Sequence, residues 1–145
     1  MPTYQHPIFT FENAKTTKGE PLGYVTAIRY LAPSDEASSP VRFKNLNTCP
    51  NAGACRSVCL YTAGRGVFAT TQAARIAKTR HRALHREDHL AQMFNEILRA
   101  NERARKHGLK LAVRVNGTSD LPGDALELAR EFPSIQFYDY TKLAG

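Results

Sequence analysis

Between residues 41 and 140 the chain alternates strand-like and helix-like segments in one order: strand, cysteine loop, helix pair, strand, helix, strand. That order constrains the fold more than any other feature. Strands separated by helices pair in parallel through right-handed crossovers, which places helices on a sheet and the connecting loops at its ends. Residues 41–46 alternate and read as the strand that delivers the cysteine loop. Residues 72–84 are alanine-rich and helical in pattern, with Thr70 or Thr71 as cap. A second helix starts at an Asp88 N-cap, with Leu90, Met93, Phe94, Ile97, Leu98 and Ala104 on one stripe, and ends at Lys106, His107 and Gly108. Leu111, Val113 and Val115 alternate with Ala112, Arg114 and Asn116 as a further strand. Pro122 opens a third helix that turns Leu126, Ala129 and Phe132 inward, and residues 135–140 return as a strand.

The first 40 residues read differently. Two short strand-like runs, 8–11 and 24–30, flank a turn-rich stretch at 16–21, which predicts a peripheral hairpin. Residues 32–40 are polar and proline-bounded and read as an exposed loop. At 145 residues the chain fits one domain: a peripheral hairpin and loop over 1–40, then an α/β core over 41–145. No apolar run is long enough for a bilayer and the N-terminus lacks the pattern of a signal peptide, so the expectation is a cytoplasmic protein without membrane contact. A formal net charge of +7 favours polyanions as partners, with nucleic acid and phosphorylated small molecules both open.

All three cysteines, Cys49, Cys55 and Cys59, fall in one short loop, with five and then three residues between them. An odd number of thiols cannot all pair as disulfides, so a metal or cluster site is the first chemical reading. Three thiolates leave one position open: a tetrahedral zinc fills it with a histidine or water, a four-iron cluster presents it to a ligand. Three reduced cysteines in a turn is the plainer alternative.

Three groups are expected beyond the C-terminal ends of the strands, where working loops of parallel sheets lie. They are the cysteines, residues 116–120, and residues 138–142. Arg114 and Asn116 share a strand face and suit a carboxylate, a phosphate or a sugar hydroxyl, or form a polar pair of the sheet edge. Ser119 and Asp120 equally suit a cap for the following helix. Tyr138, Tyr140 and Lys142 are amphipathic, fit for a ligand or for packing with a solvated lysine. His81, His85 and His89 recur every four residues, a metal ladder if one helix carries them, although Arg86, Glu87 and Asp88 read as a junction through the set. Arg75, Lys78, Arg80, Arg82 and Arg86 form a basic run without interleaved aromatics, a weak nucleic-acid footprint.

Taken together, the cysteine loop, Tyr61, the Gly64-Arg65-Gly66 turn, the strand and turn from Val113 to Asp120, and the closing run from Phe137 to Lys142 resemble the phage gene product 88 family and related radical-SAM-like phage proteins. The resemblance covers about residues 41 to 142. It implies a four-iron, four-sulfur cluster on Cys49, Cys55 and Cys59, with Arg114, Asn116, Ser119, Asp120, Tyr138 and Lys142 near a bound S-adenosylmethionine or substrate. The fold it implies is a partial, half β/α-barrel-like parallel sheet with flanking helices and the N-terminal β-hairpin. Half a barrel leaves an open edge, so a homodimer, a partner protein, or a relic that binds without turnover is expected. Two other readings stand beside it: a basic nucleic-acid- or protein-binding module with a structural zinc on the cysteine loop, and an interaction protein with no metal.

Overall fold

Tyr24, Val25, Thr26 and Ile28 are the β-branched and aromatic residues that fit a pleated, half-buried surface, and they form the strand on which the sheet is built. The computed structural model describes residues 4–11, 17–50, 53 and 64–140. Its elements are β1 (Phe9–Thr10), a 3-10 turn (Thr17–Leu22), β2 (Tyr24–Arg29), a second 3-10 turn (Gly64–Val67), α1 (Ala69–Leu84), α2 (Arg86–Lys106), β3 (Lys110–Arg114), α3 (Pro122–Glu131) and β4 (Gln136–Phe137). The architecture is mixed α/β: an open four-stranded sheet in the order β1-β2-β3-β4, mostly parallel, with three helices.

β1 and β2 pair antiparallel, Phe9 opposite Arg29, as the hairpin reading requires. The pair is not peripheral, however. β2 lies between β1 and β3 and pairs with β3 in parallel over its whole length, from Tyr24 opposite Lys110 to Ile28 opposite Arg114. β4 adds in parallel on the far side of β3. Strand parity then sorts the side chains: Phe9, Val25, Ala27, Arg29, Leu111, Val113 and Phe137 share one face, and Thr26, Ile28, Ala112 and Arg114 the other.

The core forms on the first face, where Met93, Ile97, Ala100 and Ala104 of α2 and Leu128 of α3 meet Ala27, Leu111, Val113 and Val115. α2 buries His89, Met93, Ile97, Ala100 and Ala104, a stripe shifted from the expected one: Leu98 is exposed, Leu90 and Phe94 pack at the margin, and a histidine lies inside. α3 likewise turns Asp124, Leu128 and Phe132 inward at intervals of four, while Leu126 faces out. Its N-cap is Leu121 without a side-chain hydrogen bond, so neither Ser119 nor Asp120 caps it directly. α1 starts after Phe68, also without a side-chain cap from Thr70 or Thr71. Asp88 falls within the first turn of α2, where a carboxylate suits the helix dipole, rather than at its cap. α1 and α2 are separated by His85 alone, with φ −135° and ψ 59°.

Residues 41–46 are turn and bend, not a strand. The reason is local competition: Ser39 Oγ accepts from the N–H groups of Arg42 and Phe43, both at 3.3 Å, and Ser39 N–H donates to Phe43 O. The loop 32–40 is also more buried than its composition suggests. Ala32 and Ala37 are fully enclosed and pack on Leu46 and Ile76, while Asp35 and Glu36 face out. Among the described residues no helix is long and apolar enough to cross a membrane.

Candidate functional site

β2, β3 and β4 point the same way, so the segments that follow them converge at one rim of the sheet. The segment after β2 returns to this rim through Thr48. Its N–H donates to Ser34 O, its hydroxyl donates to Ala32 O at 2.7 Å, and its carbonyl accepts from Asp120 N–H at 2.8 Å. Cys49 therefore sits beside the turn between β3 and α3. Among the described residues its part-exposed thiol makes long contacts, 3.8 Å to Thr118 O and 3.9 Å to Thr48 Oγ1. The Thr118 hydroxyl in turn donates to Leu31 O, and Gly117 N–H to Arg29 O. Gly117 has to be glycine here: a Cβ would lie 2.6 Å from Ile28 Cγ2 and 2.8 Å from Arg29 O.

Asn116 is the hub of the turn. Its Oδ1 accepts from Ser119 Oγ at 2.7 Å and Leu121 N–H at 3.1 Å, and its Nδ2 donates to Leu121 O and to Asp139 Oδ2 at 2.8 Å. Asp139 also accepts from the main-chain N–H groups of Asn116 and Tyr140. Burial raises the Asp139 carboxyl above its ordinary value, opposed by the Asn116 bond. The amide of Asn116 and the hydroxyl of Ser119 thus hold the turn and the start of α3.

Arg114 lies on the sheet face away from α2, with its guanidinium carbon 5.0 Å from the centroid of the Tyr140 ring. Tyr138 stands nearby; burial raises its phenol and Arg114 works the other way. Of the residues expected at this rim, Cys49, Arg114, Asn116, Ser119, Asp120 and Tyr138 are brought together. Cys55, Cys59, Tyr61 and Lys142 lie outside the described residues. Among the described residues no group of three or more histidine, cysteine, aspartate or glutamate side chains is arranged to hold a metal.

On the opposite face, below the rim, lies a charge cluster that the pattern of the sequence did not announce. Arg29 is fully buried, donates from Nε to Val115 O at 2.9 Å and pairs through NH1 with Asp124 at 2.8 Å. Asp124, 1% exposed, also receives Arg82 as a two-pronged fork at 2.6 and 2.8 Å, and Arg86 at 3.2 Å. Burial alone pushes the Asp124 carboxyl up, but Arg82 and Arg29 hold it well below the carboxylate range. Burial lowers Arg29 to about 10 in spite of Asp124. His89 Nε2 lies 3.3 Å from Arg29 NH1, and since arginine only donates, His89 accepts there. Its Nδ1 then carries the proton and donates to His81 Nδ1 at 3.2 Å. Burial first and Arg29 second push His89 down to about 2. Burial and His85 lower His81 as well.

The histidines therefore stack as a group, with ring centroids 5.5 and 5.7 Å apart, and His89 is spent on Arg29. The junction falls at His85 itself. The basic run is likewise engaged inside the protein: Lys78 donates to Ile8 O, Arg80 to Ala37 O, Arg82 and Arg86 bind Asp124, and Arg75 covers the Tyr30 ring. Arg29 was detectable in principle, because a charge at the inward parity of an apolar strand demands a buried partner.

Fold and rim together define a mixed α/β protein with an open, mostly parallel sheet and a loop cluster beyond its strand ends. The family model of Gene product 88 matches residues 7–144, and the chain belongs to this phage gene-product family. The match reaches further toward the N-terminus than the motifs that suggested it, and it carries no statement about radical-SAM chemistry. No curated protein and no solved structure matches the chain.

Proposed function

We propose that this protein is a phage iron–sulfur protein whose cysteine loop works at the C-terminal rim of the sheet. The observation that supports it is the Thr48 O to Asp120 N–H bond, which holds Cys49 against the β3–α3 turn, at the end of a parallel sheet where ligands of α/β proteins bind. The donor chemistry fits: Cys49 has a part-exposed thiol with no close partner among the described residues, and it opens a stretch that contributes two more thiols, Cys55 and Cys59. These three residues would hold a four-iron cluster. Bound there with S-adenosylmethionine, such a cluster supplies the electron for radical chemistry. The same reading takes the four-stranded sheet as part of a β/α barrel completed by a second copy or a partner protein. A radical-SAM-like enzyme and a relic that only binds are its two forms.

The test is anaerobic purification with iron, sulfide and zinc measured on one sample, beside Cys49→Ser. The expected outcome is a brown protein with broad absorption near roughly 400 nm and several irons per chain, lost in the variant. About one zinc per chain would overturn the iron reading in favour of a structural-zinc module. Absence of both metals after reconstitution would overturn metal binding altogether.

A further inference from the structure

Arg114, half-buried at the end of β3, differs from the cations engaged inside the protein. Arg29 and Arg82 meet Asp124, and Lys78 meets a carbonyl. The Nε of Arg114 is buried and has no hydrogen-bond partner among the described residues, nor does any carboxylate among them pair with its guanidinium. Asp139 is near enough to interact with it electrostatically, but the hydrogen bonds of its carboxylate come from Asn116 at Oδ2 and from Tyr140 N–H at Oδ1. A buried donor without an acceptor is costly, and native proteins keep few of them without a water, ion or ligand to satisfy it.

The surroundings are those of a receptor for a negative group. Register places Arg114 opposite Ile28, at the last residue of β3, on the face away from α2 where Thr26, Ile28 and Ala112 are buried and Arg114 is half-buried. The ring of Tyr140, 70% exposed, lies with its centroid 5.0 Å from the guanidinium carbon, within cation–π range. Tyr138, 36% exposed, stands close by with a phenol that burial keeps protonated, and therefore able to donate. A planar guanidinium can pair with two oxygens of one group at once, and here Nε–H is the unmatched donor.

We infer that Arg114, walled by Tyr140 and Tyr138, is the anchor of an oxyanion site that takes the carboxylate or phosphate of a small ligand. It deepens the proposed function in sharing the rim as the working end, but it does not depend on the metal. The bound oxyanion receives the Nε–H of Arg114 and restores charge balance at the end of β3.

The test is thermal unfolding and tyrosine fluorescence of the full chain, which has six tyrosines and no tryptophan, in rising inorganic phosphate or acetate against chloride of equal ionic strength. Either oxyanion is expected to raise Tm by a few degrees in a saturable way and to change tyrosine emission. A response to phosphate above acetate marks a phosphate site, the reverse a carboxylate site. Arg114→Gln removes the saturable shift, and Arg114→Lys, which keeps the charge without the fork, weakens it by roughly tenfold in apparent affinity. Equal shifts in wild type and both variants, or no shift beyond chloride in wild type, overturn the inference. Metal content read on the same samples separates the two proposals: Cys49→Ser keeps the anion response, and Arg114→Gln keeps the metal.

Discussion

At the scale of single residues, the chemistry of this protein turns on a buried positive charge. Arg29 stands where parity demands an apolar side chain, and Asp124, Val115 O and His89 are arranged round it. Two neutral histidines follow. His81 and His89 both have lowered pKa values, so as pH falls through 6.5 the unfolded chain takes up protons that the folded chain refuses. Their contribution to stability is complete above pH 6.5 and shrinks as pH falls. Asp124 adds a loss of the same sign as pH falls through 3.8 and below, because its folded pKa is depressed from that value. Urea unfolding from pH 7.5 to 4.5 is expected to show a slope of between about one and two protons from the histidines, of which His89 supplies about one. His89→Gln, which keeps an acceptor for Arg29 and a donor for His81, should remove about one of them; an unaltered slope would contradict the assignment. A reading from sequence finds the three histidines by their spacing but not their role, since spacing on a helix does not say which ring an arginine from a distant strand will meet.

At the scale of elements, β1 shows how a two-residue strand is kept in place. Glu96 of α2 accepts from Ile8 N–H and Phe9 N–H at 2.9 Å, Gln92 donates to His6 O, and Lys78 of α1 donates to Ile8 O. The main chain that β2 does not engage is satisfied by helix side chains. Glu96→Ala leaves two amides without their charged acceptor and is expected to cost about 2–3 kcal/mol in chemical denaturation. A change below about 0.5 kcal/mol would show that solvent replaces the carboxylate. The helices were legible because α2 buries one stripe, and the two longer strands because β2 and β3 are runs of apolar and β-branched residues, although both of their faces are buried. The phase of α3 was not, because Asp124 takes an inward position that apolar counting assigns to Leu126. Nor was the turn at 41–46, where the Ser39 hydroxyl outcompetes a strand that alternation alone suggests.

For the whole molecule, the convergence of the loops after β2, β3 and β4 was readable from the order of elements, since parallel strands must end together. What order could not supply is the tie between those loops. Thr48 bonds to the segment after β2 and to the turn after β3 at once, next to Cys49. Thr48→Val removes the hydroxyl bond to Ala32 O and leaves that buried carbonyl short of a donor, which should cost about 1–2 kcal/mol. Metal content measured beside Tm should fall in this variant, and full loading should raise Tm less than in wild type. Unchanged loading would mean that the rim and Cys49 are independent. The satisfied margin of β1 has a further consequence, for association. β4 carries no further strand among the described residues, while helix side chains already engage the β1 margin, so among the described residues the margin left for another strand is that of β4. Two copies meeting β4 to β4 about a two-fold axis use up both available margins, and such growth stops at a pair instead of running on into a filament.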